Sequence, residues 1–354
     1  MPLVSITAAE AITQFDRFDT LIDARSQGEY AEDHLPGALN WPVLDDDERA
    51  AVGTEYKQVS SFDARKRGAA LVARHIAEHV EQRVHDKPRS WKPLVYCWRG
   101  GQRSGTLAWF LAQIGFHTHV LAGGYKAFRT EVIRELETLP DRFDWRVVCG
   151  RTGSGKTRLL QALRRAGAQV LDLEDLASHR GSVLGHLPGR PQPGQKAFET
   201  AVWSALRGFD PARPVFVESE SAKVGNLRVP MQLLERMRRD GRCVRVAMPD
   251  AARLALLLED YAFFVQDPEL LCRSLEPLVT LRGKDKVRAW QDGARAGRVA
   301  EVFLQLMHEH YDPGYERSMQ RNFAGYDRDP ALDLPDGDEA TLDAAARGLV
   351  DAAP

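Results

Sequence analysis

One stretch constrains this chain more than any other: Trp145-Arg-Val-Val-Cys-Gly150-Arg-Thr-Gly153-Ser154-Gly155-Lys156-Thr157. It satisfies G-x-x-x-x-G-K-[ST] between a β-branched apolar run and a helical pattern over residues 158–166, so it demands a strand, a tight loop and a helix in that order. The chemistry follows from the parts. Gly150, Gly153, Ser154 and Gly155 let backbone N–H groups wrap a diphosphate or triphosphate, Lys156 neutralises the terminal oxygens, and the Thr157 hydroxyl suits a magnesium ion. Which phosphate ester fills the loop is left open by the motif.

Three further apolar runs follow: Ala168-Gln-Val-Leu-Asp172-Leu-Glu174, Pro214-Val-Phe-Val-Glu218-Ser-Glu220 and Cys243-Val-Arg-Val-Ala-Met248. Strands alternating with helical segments imply a parallel sheet covered on both faces, with ligands at its carboxyl ends. Asp172, Glu174, Glu218 and Glu220 all fall at such ends. Glu218 terminates the most hydrophobic downstream strand and is the acid expected to hold magnesium through water. A helix-capping or salt-bridged carboxylate is the plainer alternative.

A second constraint lies upstream in Leu94-Val-Tyr-Cys97-Trp-Arg99-Gly-Gly-Gln-Arg103-Ser-Gly105. A cysteine at a strand end with a helix starting just beyond it sits where backbone N–H groups and the helix terminus stabilise a thiolate or a bound anion. Arg99 and Arg103 add positive charge, so Cys97, Arg99 and Arg103 are the expected catalytic group. A buried structural cysteine would not require these glycines and arginines. The C-x5-R spacing from Cys97 to Arg103 also fits a cysteine phosphatase, but the loop offers no general acid for a leaving group.

At 354 residues and 44% hydrophobic content the chain suits about two domains, and its formal charge of -2 argues against wholesale nucleic-acid coating. Cys97, Cys149, Cys243 and Cys272 have neither framework nor metal-ligand spacing, which predicts free thiols in a reducing compartment and names no metal ligands. No leader or membrane-length apolar run is read, so a cytoplasmic protein without a membrane partner is expected. A long helix is predicted over 61–84, its basic first half a weak candidate for RNA contact. Arginines at 236, 238, 239 and 242, and cations at 282, 284, 286, 288, 295 and 298, are either solvated helix faces or phosphate-backbone contacts. The acidic segment after Asp327 reads as a solvated helix with frayed ends.

Several separated strings carry a resemblance. Thr20-Leu-Ile-Asp23-Ala-Arg25, His34-Leu-Pro36-Gly37-Ala38, the Cys97 loop and Leu121-Ala-Gly-Gly-Tyr125 resemble a rhodanese domain, with Cys97 where that family carries its persulfide cysteine. Together with the phosphate loop, Glu48-Arg49-Ala-Ala-Val-Gly53-Thr-Glu-Tyr56-Lys57, Leu173-Glu174-Asp175-Leu-Ala-Ser178-His179-Arg180-Gly181-Ser182, Glu218-Ser-Glu-Ser221 and His310-Tyr311-Asp312-Pro313, the chain resembles the bacterial tRNA 2-selenouridine synthase family. It departs from that pattern at Gln102, Asp175 and Ser178, where methionine, glycine and asparagine are common. Asp175 is the departure expected to disturb a phosphate-proximal turn.

The resemblance implies an α/β chain: an N-terminal rhodanese-like domain (1–139), a C-terminal P-loop NTPase-like parallel-sheet domain (140–326) and an acidic tail (327–354). It implies a transferase that replaces the 2-thio sulfur of the tRNA wobble uridine with selenium from selenophosphate. The route would run through an S-geranyl-2-thiouridine made from geranyl diphosphate. No tightly bound cofactor is expected, and magnesium is compatible with the loop. Cys97 would act in selenation, as a perselenide carrier or as a nucleophile. A rhodanese-type sulfurtransferase fused to a small-molecule kinase is the alternative, and it predicts nucleotide turnover without RNA. A non-catalytic RNA-binding module is disfavoured by the intact Cys97 and Lys156-Thr157.

Overall fold

A computed structural model describes residues 3–328 and 331–352 and divides the chain into two compact units. Residues 1–135 and Gly194–Trp203 form the first, and residues 136–193 and 204–354 the second.

The first unit is built on a five-stranded sheet of β1 (Val4–Ile6), β2 (Thr20–Asp23), β3 (Leu39–Asn40), β4 (Pro93–Tyr96) and β5 (His119–Leu121), in the order β1-β5-β4-β2-β3. All its pairings are parallel. β4 is buried at every residue and lies between β5 and β2, as an apolar run without alternation requires. Cys97 therefore emerges at the carboxyl end of a central strand. The helix Gln102–Ile114 buries Leu107, Ala108 and Leu111 in one core with Val95 and Ile22, and stops at Gly115, whose φ of 113° suits glycine.

The rhodanese-like landmarks converge in a buried polar network. Arg25 grips Asp23 through Nε at 3.0 Å and Nη2 at 2.6 Å, and donates to the Asp33 carbonyl at 2.6 Å. Tyr125 and Thr200 hydroxyls both donate to the Asp33 carboxylate, at 2.8 and 2.9 Å. The Arg25 guanidinium also stacks 4.0 Å from the Tyr125 ring centroid. Removing either Arg25 or Asp23 would strand the other's buried charge, at a cost of about 3–5 kcal/mol.

The second unit carries β6 (Trp145–Gly150), β7 (Gln169–Leu171), β8 (Val215–Glu218), a small antiparallel pair β9 (Lys223–Val224) and β10 (Leu227–Arg228), then β11 (Arg242–Ala247) and β12 (Leu332–Asp333). Its main sheet is parallel throughout, ordered β12-β11-β6-β8-β7. β6 is buried along its full length between β11 and β8, so the phosphate loop leaves from mid-sheet. The helix Lys156–Arg165 buries Leu159, Leu160, Ala162 and Leu163. Helices between residues 250 and 322 build their own core around Phe264, Leu271, Trp290 and Phe303.

The acidic segment after Asp327 is not a solvated helix. β12 pairs with β11, and the helix Glu339–Asp351 places Leu342 and Ala346 in one core with Leu334, Leu159 and Leu163. Apolar residues at helical spacing outweigh the acidic composition, and Asp343 meets Arg165 at 2.6 Å. Among the described residues, no helix is long and apolar enough to cross a membrane.

Candidate functional site

The sulfur loop and the phosphate loop lie in separate units. In the first, Cys97 follows β4 and is 3% exposed. The Ser104 hydroxyl, in the first turn of the Gln102–Ile114 helix, donates to its Sγ at 3.1 Å. Two glycines make the loop close: a side chain on Gly124 (φ 60°) would meet the Cys97 carbonyl oxygen at 2.2 Å, and one on Gly100 (φ 65°) would meet the Leu121 carbonyl oxygen at 2.7 Å. The Gly-Gly-Tyr turn thus forms the wall of the sulfur loop.

The two arginines expected beside the sulfur have different fates. Arg99 is exposed. Arg103 is half-buried and held by Glu29 at 2.7 Å, so its charge is already partnered. Burial pushes the Glu29 carboxyl up, but the Arg103 hydrogen bond and charge outweigh it and hold the group below the ordinary range.

In the second unit the phosphate loop has the expected form. Gly153 and Gly155 take φ values of 80° and 77°, and a side chain on Gly150 would strike the Ser154 hydroxyl at 2.4 Å. Lys156 Nζ donates to the Gly150 carbonyl at 2.7 Å and lies 5.4 Å from the Tyr315 ring centroid. Among the described residues, Ser154 Oγ is buried without a hydrogen-bond partner. Donors gathered around a concave backbone are what an anionic phosphate group requires.

Sheet order brings the strand-end acids together. Glu174, Glu218 and Glu220 offer carboxylate oxygens within 4.8 Å of one another. The Thr157 hydroxyl donates to Glu174 at 3.1 Å, and the Glu174 N–H donates to Glu218 Oε1 at 2.8 Å. Among the described residues, Glu218 Oε2 is buried with no partner. Burial pushes Glu174 up to about 7, with Lys156 opposing it. Burial and then the Glu174 charge push Glu220 up to about 8. Glu218 rises as well, from burial and both neighbouring carboxylates. An orphaned carboxylate oxygen beside two further carboxylates and a threonine hydroxyl is a donor set that fits a hard divalent cation. Asp172 instead caps a helix, accepting the Asp175 N–H at 2.9 Å, so Asp175 leaves that turn intact.

Two supports were not legible in the sequence. Arg253 is 1% exposed; it donates to the Thr152 carbonyl at 3.0 and 2.8 Å and to Asp312 at 2.9 and 2.6 Å, pinning the loop from behind. Tyr315 accepts the Gly150 N–H at 2.6 Å and shares a 2.9 Å hydrogen bond with Ser219. Asp312 sits in one of the quoted strings, whereas a lone arginine in an Ala/Leu helix gives no signal.

The loop opens into a cavity of about 790 Å³ lined by Lys156, Glu174, Arg180, Glu220, Tyr261 and Tyr315, among others. A small apolar crevice of about 20 Å³, no larger than a water-sized group needs, shares Thr152, Ser182, Leu257, Tyr261 and Tyr311 with it and is closed by Leu184, Phe303, Leu306 and Met307. The π-helical turn Met307–Tyr311 forms part of its wall, a distortion often found at functional sites.

The cation clusters are neutralised in part: among the described residues Arg238, Arg242, Arg282, Lys284 and Arg288 make no ion pair, whereas others do. Arg236 pairs with Asp141 and Asp240, Lys286 with Glu309 at 2.6 Å, Arg295 with Glu269 at 2.7 Å and Arg298 with Glu301 at 3.5 Å.

A family model for the tRNA 2-selenouridine synthase AAA domain matches residues 143–270, and one for the rhodanese-like domain matches residues 7–131. A tRNA 2-selenouridine synthase of Nitrosomonas europaea is 36% identical over 248 residues, covering 68% of this chain and 63% of the relative, so the chain spans somewhat under two thirds of that protein's length. Proteins of the same name from a Sulfurovum species and from Hydrogenovibrio crunogenus are 31% and 33% identical, each match covering 85% of this chain and 89% of the relative. Matches of that extent, running through both α/β units, show that the chain belongs to the tRNA 2-selenouridine synthase family.

Proposed function

We propose that this chain replaces the 2-thio sulfur of a tRNA uridine with selenium from selenophosphate, through an S-geranyl intermediate made from geranyl diphosphate. The observation that supports the reading is the second-unit cavity of about 790 Å³, whose lining joins Lys156 of the phosphate loop to apolar Leu257, Tyr261, Tyr311 and Met319. Apolar surface of a prenyl chain laid against those walls would contribute about 25 cal/mol per Å² removed from water.

In this reading the thiouridine sulfur attacks C1 of geranyl diphosphate, the C1–O bond breaks, and diphosphate leaves with the bonding pair. Lys156 turns from the Gly150 carbonyl to the departing oxygens, and the loop N–H groups hold them. Magnesium would be held by Glu218, Glu174, Glu220 and Thr157, and would supply charge neutralisation for the diphosphate. The selenophosphate selenium then attacks C2, the C2–S bond breaks and geranyl thiolate leaves with the bonding pair; water attacks phosphorus, the P–Se bond breaks, and phosphate is released with selenium left on C2. Cys97 acts in this half, with Arg99 receiving the anion. Arg103, bound to Glu29, positions the loop.

Mass spectrometry of tRNA nucleosides after incubation with both small substrates, each omitted in turn, tests the scheme. Selenouridine formed without geranyl diphosphate refutes the prenylated intermediate. Steady nucleotide hydrolysis with neither product assigns the phosphate loop to a kinase instead.

A further inference from the structure

Two helices of the first unit, Asp46–Gln58 and Ser61–Arg83, are used by neither site. Asp45 and Glu48 start the first through a reciprocal cap, yet that helix buries none of its residues. The second buries only Ala64, Gly68, Ile76 and His79 along its length. The pair packs together, stitched by Glu48 to His75 at 2.7 Å and Glu55 to Arg67 at 3.6 Å.

Their junction concentrates exposed apolar side chains: Tyr56, Val59 and Phe62 are 49%, 79% and 67% exposed. Single exposed apolar residues are ordinary, but here cations lie on the rings. The Arg65 guanidinium is 5.9 Å from the Tyr56 centroid, and the Lys66 ammonium is 4.9 Å from that of Phe62. Among the described residues Lys57 and Arg65 make no ion pair, whereas Lys66 is shared with Asp63. Unneutralised positive charge and exposed rings coincide at this junction.

That combination is the chemistry of single-stranded nucleic acid. Ring faces take unpaired bases and cations take the phosphates between them, while a duplex keeps its base faces stacked away from such a surface. We propose that the junction of these helices, with Tyr56, Phe62, Lys57 and Arg65 as its contacts, docks unpaired nucleotides of the RNA substrate. The proposal rests on the tRNA reading above and adds the surface that receives it.

The test is fluorescence anisotropy of the full chain with a labelled RNA stem-loop, competed by unlabelled stem-loop or blunt RNA duplex. Tyr56→Ser/Phe62→Ser is expected to weaken binding about tenfold or more at fixed salt and to leave the salt slope unchanged. Lys57→Gln/Arg65→Gln is expected to lower the log–log salt slope by roughly 0.7 per lost contact. Melting temperatures of both pairs should match the parent, because the four side chains are exposed; if the ring variant does not fold, the charge variant decides. Parent-like binding by the variants, or a duplex that competes as well as the stem-loop, overturns this surface while leaving the tRNA reading intact. A parent chain that binds neither stem-loop nor whole tRNA overturns both.

Discussion

Arg253 offers the sharpest test of how the phosphate loop is held. Its guanidinium is 1% exposed, and Asp312, its main counter-charge, is 8% exposed. Asp312→Leu strands that charge. Breaking a buried pair costs about 3–5 kcal/mol, and the lower end applies here because Arg253 keeps the Thr152 carbonyl and the half-exposed Asp250 at 2.9 Å. Arg253→Met leaves Asp312 with only the longer Arg151 pair at 3.9 Å and leaves the Thr152 carbonyl unpaired, so about 3 kcal/mol is expected. The double variant has no orphaned charge and loses only the donors to that carbonyl, about 1–3 kcal/mol. Urea unfolding followed by tryptophan fluorescence should therefore show a double variant well above the sum of the singles in stability. Diphosphate binding in the double variant should still be weakened, because the loop has lost its rear anchor. Singles costing under about 1 kcal/mol, or a strictly additive cycle, would refute this account of the loop.

Other predictions follow from single sites. Cys97→Ala should abolish selenouridine while geranylation continues, and Lys156→Ala should reduce geranylation by about a hundredfold; loss of both products in the cysteine variant would sink the division of labour. Ser178 adopts a left-handed φ of 50° at a helix end, so Ser178→Asn should raise stability by about 0.5 kcal/mol, read from the urea midpoint; an unchanged or lower midpoint speaks against it. Glu174 and Glu220, ordinarily near 4.5, are pushed up to about 7 and about 8 by burial. The folded metal-free protein then holds protons that the unfolded chain has released. Its stability contribution is full below the unfolded value and falls as pH rises through 7 and 8. A melting temperature that rises over that window in metal-free buffer would contradict the burial of these groups.

What could be read from the sequence is what depends on neighbouring residues. The phosphate loop is a local conformational demand, and its glycines lie where the spacing puts them. The helix expected over 61–84 runs Ser61–Arg83. The Asp23–Arg25 landmark and the Gly-Gly-Tyr turn were visible as strings, but not the Asp33 network that joins them, because Asp33 and Tyr125 meet only through the fold. The three glutamates became one site for the same reason: Glu174 and Glu218 are 44 residues apart, and adjacency of β7, β8 and β6 unites them. Arg103 was expected on an anion and is found on Glu29, a partner that composition cannot name. The packing of the tail is hidden in the sequence because acidic residues dominate its composition, while Leu334, Leu342 and Ala346, which decide that packing, are few.

The central claim is a prenylated intermediate made at the phosphate loop and consumed by selenium. A quenched time course of tRNA nucleosides under single-turnover conditions, read by mass spectrometry, addresses it most directly. S-geranyl-2-thiouridine should rise first and decay as 2-selenouridine appears, with Lys156→Ala suppressing the rise and Cys97→Ala blocking the decay. Selenouridine that accumulates with no geranylated species before it, at the parent rate in the Lys156 variant, would contradict the claim.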